Sequence, residues 1–320
     1  MSAILLTGAS GFIGRALAAR LAADGHRLRL ALRSPSSGKL PDAGIFRFAG
    51  LDGNTDWREA LAGIEIVVHC AARAHIMKES AADPLGAFRR CNADASAHLA
   101  RQAALAGVRR LIFVSTAKVW GEQTPPGQPF TVDTVPAPVD PYAISKLEAE
   151  NALRASGAGG GMEMVIVRPP LVYGPGVKAN FLRLMQWIAR GRPVPVVDAG
   201  CRRSLVARDN LVDLLARCVD HPRAANQILP VSDGEDLPMP VLLRQLGEAL
   251  GKPARMIPVP AWLLKSGARL LGRQAMADRL CASLQIDIGH TRRLLDWSPP
   301  LSVSEALART AADFLAHCRT

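Results

Sequence analysis

The sequence predicts an α/β protein in which a doubly wound parallel sheet precedes a smaller, mostly helical C-terminal domain. Between residues 3 and 167, short apolar runs alternate with helical patterns, which is typical of a parallel sheet with helices on both faces. From Pro169 onward, prolines are more frequent and the elements are shorter and less regular. We therefore expect a sheet domain at residues 1–174 plus 203–232 and a cap at residues 175–202 plus 233–320.

The first strand, turn and helix surround a glycine-rich run. Residues 3–6 are apolar, residues 7–14 are TGASGFIG, and residues 15–23 carry leucines at helical spacing. A second apolar run follows at residues 28–32. Strand, glycine turn, helix and strand in this order form the context that a dinucleotide-binding turn requires, so the sequence predicts a Rossmann-type domain.

Each glycine of this turn has its own predicted role. Gly8 permits a tight turn, Gly11 lets the backbone approach a pyrophosphate, and Gly14 lets the helix pack closely on the strand. The N terminus of the helix presents unpaired N–H groups and a positive dipole end to the phosphates. The spacing is GxxGxxG, which differs from the GxGxxG of simple dehydrogenases.

The elements that follow continue the alternation. We predict strands at residues 44–49, 64–70, 109–114 and 162–167, and helices at residues 57–61, 84–106 and 142–155. The strand at 64–70 leads into Cys70, Ala71 and Ala72, small residues at a carboxyl end, where open α/β sheets bind ligands. The C-terminal part predicts extended segments at 193–197, 204–207 and 227–231, and helices at 180–189, 209–220, 238–250, 261–271, 291–295 and 304–316.

Composition excludes several classes of protein. The chain has 320 residues with 49% hydrophobic and 21% charged residues, an ordinary globular balance. Its six cysteines include no CxxC pair and lack metal-ligand spacing, so we expect no metal site. We expect the thiols to be reduced and the protein to be cytoplasmic, without a signal peptide. The longest candidate membrane segment, residues 260–272, is interrupted by Lys265 and Arg269, and we expect no membrane insertion.

The net charge of +11 is the one feature that suggests nucleic-acid binding. The basic residues, however, are spread singly or in pairs, without a run of five and without interleaved aromatic residues. We expect a phosphate-rich small substrate and no nucleic-acid partner.

Tyr142 and Lys146 are four residues apart on one predicted helix, so their side chains can approach one another. A phenol with a pKa near 10 is a poor base at neutral pH, and a nearby ammonium group lowers that pKa. The hydroxyl of Thr116, just beyond the strand at 109–114, can hold the same substrate oxygen. Tyr142 can then exchange a proton with a sugar hydroxyl while a nicotinamide exchanges a hydride. The alternative is a surface tyrosine with a neighbouring lysine.

Four motifs in order now indicate a family. They are TGASGFIG, Ser115-Thr116, YAISK at residues 142–146 and RPPLVYGPG at residues 168–176. Together they resemble the extended short-chain dehydrogenases/reductases, specifically the nucleotide-sugar epimerases, dehydratases and reductases. The resemblance implies that Thr116, Tyr142 and Lys146 are catalytic, with Asn92 as a fourth member. The alternative for Asn92 is an ordinary solvated residue of its helix.

The resemblance also implies ligand contacts. Lys146 also meets the nicotinamide ribose, Asn180 meets the nucleotide of the sugar, and Arg203 grips its diphosphate. Tyr173 resembles an aromatic residue beside both ligands, with a core tyrosine as the alternative. The implied NAD(P) contacts are Gly8, Ser10, Gly11, Phe12, Ile13, Gly14, Arg33, Cys70, Ala71, Ala72, Tyr142, Lys146 and Pro169; the implied UDP-sugar contacts are Thr116, Lys118, Tyr173, Asn180, Arg203 and Arg279. A homodimer through the helices at 84–106 and 141–155 is a further implication.

Two departures from the family pattern narrow the expected reaction. Members that prefer NAD carry Asp near the end of the second strand, whereas here Leu32 is followed by Arg33 and Ser34. An arginine beside a hydroxyl suits a 2′-phosphate, which favours NADP(H) over NAD(H); an exposed loop arginine is the alternative. Dehydratases follow the threonine with Asp-Glu, and here Ala117 and Lys118 replace that acid pair, leaving 4-epimerisation or 4-keto reduction.

The expected preference for NADP(H) favours a reductase. A reductase consumes a reduced cofactor in every cycle, whereas an epimerase returns its hydride to the sugar. The runs STAKVWGE at 115–122 and VKANFLRLM at 177–185 resemble reductases that convert a UDP-4-keto-6-deoxy-N-acetylhexosamine to a quinovosamine-type sugar in bacterial polysaccharide synthesis. A UDP-glucose or UDP-N-acetylglucosamine 4-epimerase is the alternative, and a non-catalytic dinucleotide sensor is a remote one.

Overall fold

The computed structural model describes residues 1–34, 40–74, 82–125, 127–158, 161–197, 200–260 and 282–318. Its strands are β1 (Ala3–Thr7), β2 (Arg27–Leu32), β3 (Gly44–Arg47), β4 (Ile66–His69), β5 (Arg110–Val114), β6 (Glu163–Arg168), β7 (Leu171–Tyr173), β8 (Val194–Val196), β9 (Arg202–Ala207), β10 (Gln227–Pro230), β11 (Asp236–Pro238) and β12 (Met256–Pro258). Its helices are α1 (Phe12–Ala23), α2 (Arg58–Leu61), α3 (Pro84–Phe88), α4 (Ala95–Leu105), α5 (Pro141–Ala158), α6 (Ala179–Ala189), α7 (Arg208–Asp220), α8 (Met239–Ala249), α9 (Gly289–Leu295) and α10 (Val303–Cys318).

Seven strands form one parallel sheet in the order β10-β6-β5-β4-β1-β2-β3. The chain therefore reverses its direction of travel across the sheet between β1 and β4, whose carboxyl ends pair at Thr7 and His69. Ligands of such sheets bind outside the carboxyl ends at this reversal. The predicted α/β class with a doubly wound parallel sheet is confirmed.

The core follows from the alternation of side chains along buried strands. Ile4 and Leu6 of β1 belong to a hydrophobic cluster on one face of the sheet, and Leu5 belongs to a second cluster on the other. A third cluster joins α6, α8 and α10 through residues such as Met185, Leu246 and Leu307. All of these side chains are fully buried, so the sheet is packed on both faces and the C-terminal elements have a core of their own.

The predicted helix at 84–106 is not continuous. The structure divides it into α3, a π turn at Arg89–Asp94, and α4. A π turn inserts a residue into a helical repeat and is common at functional sites. A single inserted residue changes the hydrophobic periodicity too little to be recognised in the sequence, so the interruption was not predicted. Helix α5 extends to Ala158, three residues beyond the predicted end at residue 155.

Three short strands in the C-terminal part, β7, β11 and β12, were also missed, whereas β8 and β9 overlap the extended segments predicted at 193–197 and 204–207. Strands β11, β9 and β7 form one small sheet, and β12 pairs with β8 in another. Three-residue strands are too short for their periodicity to be recognised. The predicted helix at 261–271 lies outside the described residues, and the division into two domains and the homodimer remain predictions. Within the described ranges, no helix has the length and apolar character needed to cross a membrane.

Candidate active site

The glycine turn lies at the carboxyl end of β1. Gly8 has a φ of +71°, and a Cβ atom there would lie 2.7 Å from the backbone nitrogen of Ala71. A Cβ atom at Gly14 would lie 2.1 Å from the carbonyl oxygen of Gly8. Helix α1 starts at Phe12, and its N-cap is Gly11, which has no side chain to satisfy the first N–H groups. The turn therefore has the shape and the donors of a pyrophosphate cradle, and these residues fit a dinucleotide.

The segment after β4 forms a wall beside this turn. Cys70, Ala71 and Ala72 are half-buried. The backbone nitrogen of Ala71 donates to Oγ1 of Thr7 at 3.3 Å, which ties the wall to the end of β1. Of the other predicted cofactor contacts, Ser10 is exposed at the open side of the turn, while Phe12 and Ile13 are half-buried.

Lys146 lies on α5 with its amine against the end of β5. Its Nζ donates to the carbonyl oxygen of Val114 at 2.8 Å and lies 3.7 Å from the ring centroid of Phe113. Burial lowers the pKa of Lys146 to about 7, although the charges of Glu150 and Cys70 act in the opposite direction. At neutral pH the amine is thus close to its midpoint of protonation.

Tyr142 lies one turn before Lys146 on α5 and is half-buried. Its ring meets that of Phe88 edge-on, with 6.0 Å between centroids. Burial raises the pKa of Tyr142 above its usual range, and the negative charge of Asp140 adds to the effect. This direction is opposite to our expectation of a lowered pKa, because the desolvation of the phenol and the nearby carboxylate both disfavour the phenolate.

Thr116 lies just beyond β5, at the start of a short 3₁₀ turn, Ala117–Val119. Its Oγ1 accepts from the backbone nitrogen of Lys118 at 3.3 Å. The turn is held to the end of β6 because the backbone nitrogen of Ala117 donates to the carbonyl oxygen of Pro169 at 2.8 Å. Thr116 and Lys146 are thus both positioned by the carboxyl end of β5, and Pro169 belongs to the same edge of the sheet.

Asn92 lies in the π turn and is only 1% exposed, so it is not a solvated helix residue. Its Nδ2 donates to Oγ of Ser145 at 3.0 Å and to the carbonyl oxygen of Arg73 at 3.2 Å. Its Oδ1 accepts from the backbone nitrogen of Arg73 at 2.8 Å. Asn92 therefore joins α5 to the segment that follows the Cys70–Ala72 wall.

Lys118, predicted to contact substrate, forms ion pairs within the chain. Its Nζ pairs with Asp140 and lies 3.5 Å from Oε1 of Glu122. Asp140 in turn accepts from the backbone nitrogen of Ala143 at 2.7 Å and so caps α5. The ion pair connects the turn that carries Thr116 to the helix that carries Tyr142.

The remaining predicted residues that the structure describes lie on other elements. Tyr173 is fully buried, donates from its hydroxyl to Asp233 at 2.9 Å and stacks on Phe181, as in the core alternative. Arg203 is a half-buried residue of β9, and Asn180 is exposed in the first turn of α6. Arg33 is exposed directly after β2. Arg279 lies outside the described residues.

Sequence reasoning missed several buried polar residues around the centre. Glu150, one turn beyond Lys146 on α5, forms a buried ion pair with Arg168, whose Nε lies 3.1 Å from Oε1 of Glu150. Ser115 donates to the same carboxylate. His69 and Ser96 are also buried near Asn92. The available signal was a polar residue within an otherwise apolar stretch, as in Ile66–His69.

Comparison with known proteins identifies the family of the chain. A model of the NAD-dependent epimerase/dehydratase family matches residues 4–231. A UDP-glucose 4-epimerase from Vibrio cholerae is 43% identical over 314 residues, which cover 98% of this chain and 95% of that protein. A 2-alkyl-3-oxoalkanoate reductase from Stenotrophomonas maltophilia is 29% identical, with 97% of this chain and 98% of that protein covered.

Solved structures share the fold. The UDP-glucose 4-epimerase of Thermotoga maritima with UDP-glucose superposes with a TM-score of 0.78 at 23% identity, over 99% of both chains. The UDP-glucuronic acid 4-epimerase of Bacillus cereus in complex with NAD has a TM-score of 0.79 at 20% identity, over 98% of this chain and 99% of that one. From its motifs, its sheet and its match over most of its length, the chain belongs to the NAD-dependent epimerase/dehydratase family.

Proposed function

We propose that this protein catalyses NAD(P)-dependent oxidoreduction at C4 of a UDP-sugar, with 4-epimerisation as the first candidate reaction. The observation that supports the proposal is that Thr116 directly follows β5 and Lys146 donates to the last carbonyl of β5, at the edge of the sheet where the glycine turn also lies, with Tyr142 one turn before Lys146 on α5. The 43% identity with a UDP-glucose 4-epimerase over almost the full length supports the UDP-sugar substrate.

The glycine turn is proposed to hold the cofactor. Gly8, Gly11 and Gly14 line the cradle, and the first N–H groups of α1 donate to the pyrophosphate. Cys70 and Ala71 form the adjacent wall, and burial raises the pKa of the Cys70 thiol to about 12, so the wall carries no thiolate charge. A nicotinamide cofactor held by these residues would supply the hydride acceptor and donor for the sugar carbon.

Tyr142 is proposed to move the proton of the C4 hydroxyl. In the free protein its raised pKa keeps the phenol protonated, which suits proton donation to a 4-keto oxygen. Proton removal from a 4-hydroxyl requires the phenolate, and a protonated Lys146 favours that form. Thr116 is proposed to hydrogen-bond the same oxygen and keep it in line with Tyr142. Asn92 is proposed to hold the first turns of α5 through Ser145.

The UDP portion is proposed to lie on the C-terminal elements. Asn180 presents an exposed amide from α6, and Arg203 offers a guanidinium from β9 for the diphosphate. Arg279 is the second proposed diphosphate arginine. Lys118 is proposed to act indirectly, through its ion pair with Asp140 at the start of α5. Tyr173 is proposed to act through the packing of the core of the cap.

Reduction of a UDP-4-keto-6-deoxy-N-acetylhexosamine is the second candidate. The supporting observation is the exposed Arg33 directly after β2, followed by Ser34, in the place where an acidic residue selects NAD. A guanidinium and a hydroxyl at this position suit the 2′-phosphate of NADPH, the cofactor that a reductase consumes.

The two candidate reactions differ in whether they consume the nicotinamide cofactor. Purified protein is incubated with UDP-glucose or UDP-N-acetylglucosamine and NAD, and separately with the 4-keto-6-deoxy derivative and NADPH. Formation of the 4-epimer without net change in nicotinamide absorbance supports epimerisation, whereas absorbance loss only with the keto sugar supports reduction. A protein that converts neither class of substrate, although it binds NAD(H), contradicts the proposal.

A further inference from the structure

A line of buried polar groups starts beneath the glycine turn. Oγ1 of Thr7, the residue before Gly8, lies 2.6 Å from Nδ1 of His69. The Nε2 of His69 lies 2.9 Å from Oγ of Ser96 on α4. Thr7 and His69 have no exposed surface, and Ser96 is 1% exposed. The ring of His69 also packs on that of Phe113, with 5.6 Å between centroids.

The line continues to the catalytic helix. Oγ of Ser96 donates to the carbonyl oxygen of Asn92 at 2.5 Å, within the π turn. The side-chain amide of Asn92 donates to Oγ of Ser145, and Ser145 donates to the carbonyl oxygen of Tyr142 at 2.8 Å. A connected set of hydrogen bonds thus runs from the end of β1, across β4 and α4, to the first turn of α5.

The donors in this line can be assigned by elimination. The single hydroxyl proton of Ser96 is used toward Asn92, so Ser96 must accept from Nε2 of His69. His69 is therefore protonated on Nε2, and its bare Nδ1 accepts from the hydroxyl of Thr7. Thr7 in turn accepts from the backbone nitrogen of Ala71. Burial lowers the pKa of His69 to about 3, in agreement with a neutral ring.

All the hydrogen bonds consequently point the same way. From Ala71, through Thr7 and His69 to Ser96, each group donates to the next, and this set ends on the backbone carbonyl oxygen of Asn92. A second set starts at the side-chain amide of Asn92 and passes through Ser145 to the carbonyl oxygen of Tyr142, so the covalent frame of Asn92 joins the two. Hydrogen bonds in series polarise one another and strengthen the line. The side chains of Thr7, His69, Ser96, Asn92 and Ser145 are buried, so breaking a link between two of them leaves unsatisfied groups away from water.

We infer that this line is a positioning device in which Thr7, His69, Ser96 and Ser145 hold the backbone of Tyr142 at a set position relative to the dinucleotide turn. The inference rests on the proposed function, because the position of Tyr142 matters only if its phenol reacts beside the cofactor. These residues touch neither substrate nor cofactor in this role. They act through the turn, through Asn92 and through the start of α5.

The positioning role makes a distinct kinetic prediction. A displacement of the reacting group by about 1 Å can cost on the order of 10²-fold in rate. Loss of one link should therefore lower kcat by about 10-fold to 10²-fold, with little change in the dissociation constant for NADH. Residues that act as a unit give non-additive losses, so Thr7→Val combined with Ser96→Ala should lose no more than the worse single variant.

Thr7 offers a matched pair of substitutions. Thr7→Val keeps the shape of the side chain and removes the hydroxyl, whereas Thr7→Ser keeps the hydroxyl and removes a methyl group. We expect Thr7→Ser to retain most of kcat and Thr7→Val to lose it. Thr310→Val is the control for loss of a buried hydroxyl, since Thr310 is 1% exposed and donates to Ala306 at 2.6 Å within α10.

The tautomer of His69 supplies a readout that is independent of activity. Nitrogen-15 NMR of the histidine ring in the wild-type protein should show a pyrrole-like Nε2 and a pyridine-like Nδ1 between pH 6 and 8. The opposite tautomer, or a doubly protonated ring in this range, overturns the direction of the line and the inference with it.

The kinetic outcomes separate the inference from the proposed function. Tyr142→Phe serves as the reference for loss of the reacting phenol, and thermal unfolding is measured for every variant. An active wild-type protein with fully active Thr7→Val and Ser96→Ala refutes the positioning role alone, as does an equal loss of kcat in Thr7→Val and Thr310→Val. A wild-type protein that acts on no UDP-sugar refutes the proposed function.

Discussion

Gly14 faces the carbonyl oxygen of Gly8 so closely that a Cβ atom at Gly14 would lie 2.1 Å from that oxygen. Because the obstacle is backbone, Gly14→Ala must move α1 away from the turn. We expect a loss of stability of at least the ~1–3 kcal/mol that overpacking costs, and weaker NADH binding. Urea unfolding and fluorescence titration measure the two effects.

Gly44→Ala is the control for this change. Gly44 lies at the start of β3, and a Cβ atom there would approach no atom closer than 3.7 Å. Its stability and NADH affinity should match the wild type. A Gly14→Ala protein that behaves like Gly44→Ala would show that the turn tolerates a methyl group and that the close packing is not needed for binding.

Lys146 should make stability depend on pH. Burial lowers its pKa from 10.5 to about 7 in the folded state, so between these values the unfolded chain holds a proton that the folded chain lacks. Stability must then rise with pH through this window, by up to about 1.4 kcal/mol for each pH unit. Lys146→Met removes this contribution. Urea unfolding at pH 7, 8 and 9 should show that the unfolding free energy of the wild type rises with pH relative to that of the variant. An equal change of the two free energies with pH would contradict the lowered pKa of Lys146.

Tyr142→Phe should lower turnover by roughly 10²–10⁴-fold, the usual contribution of a general acid or base. The dissociation constant for NADH should stay near the wild-type value, because the phenol carries the proton and the glycine turn carries the cofactor. Steady-state assays and NADH fluorescence separate the two quantities. Undiminished turnover removes Tyr142 from the mechanism.

Asp140 and Lys118 should shift the pH dependence of turnover in opposite directions. The carboxylate of Asp140 raises the pKa of Tyr142, and Lys118 pairs with that carboxylate. Asp140→Asn keeps a capping side chain for α5 but removes the charge, so the rate of sugar oxidation should rise at lower pH. Lys118→Met leaves the negative charge of Asp140 without its cationic partner, so the pKa of Tyr142 should rise further. The increase of the oxidation rate should then occur at higher pH.

The measurement is the rate of oxidation between pH 6 and 10 for the two variants and the wild type. Asp133→Asn, an exposed acidic residue in the same connection between β5 and α5, is the control and should leave the profile unchanged. Shifts in the same direction for Asp140→Asn and Lys118→Met would show that the pair does not act on Tyr142 through charge.

Arg33→Ala should weaken NADPH binding more than NADH binding, because a 2′-phosphate loses a guanidinium partner and a 2′-hydroxyl does not. Arg27→Ala, at the opposite end of β2, is the matched control and should change neither affinity. Fluorescence titration with both cofactors measures the ratio. Equal weakening of the two by Arg33→Ala contradicts the assignment of the 2′-phosphate and with it the support for reduction.

Local patterns in the sequence predicted the glycine turn, the six strands from β1 to β6 and the family. These features depend on neighbouring residues: Gly8 to Gly14 must turn and pack within one strand–helix unit, and the run Ile66, Val67 and Val68 must be apolar to lie inside a parallel sheet. Lys146 and Tyr142 could be proposed from their types and spacing, and Asn92 from the resemblance to the family. Three-residue strands such as β7 and β11 carry too little pattern to be predicted.

The chain by itself determined which residues meet along one helix or one strand, because that geometry repeats every few residues. Only the tertiary structure decided the π turn at Asn92, the raised pKa of Tyr142 and the line of hydrogen bonds through His69. Each of these arises from burial and from partners many residues away, as with the 62 residues that separate Thr7 from His69. Desolvation and long-range hydrogen bonding depend on the packed surroundings of a group, which no local spacing specifies.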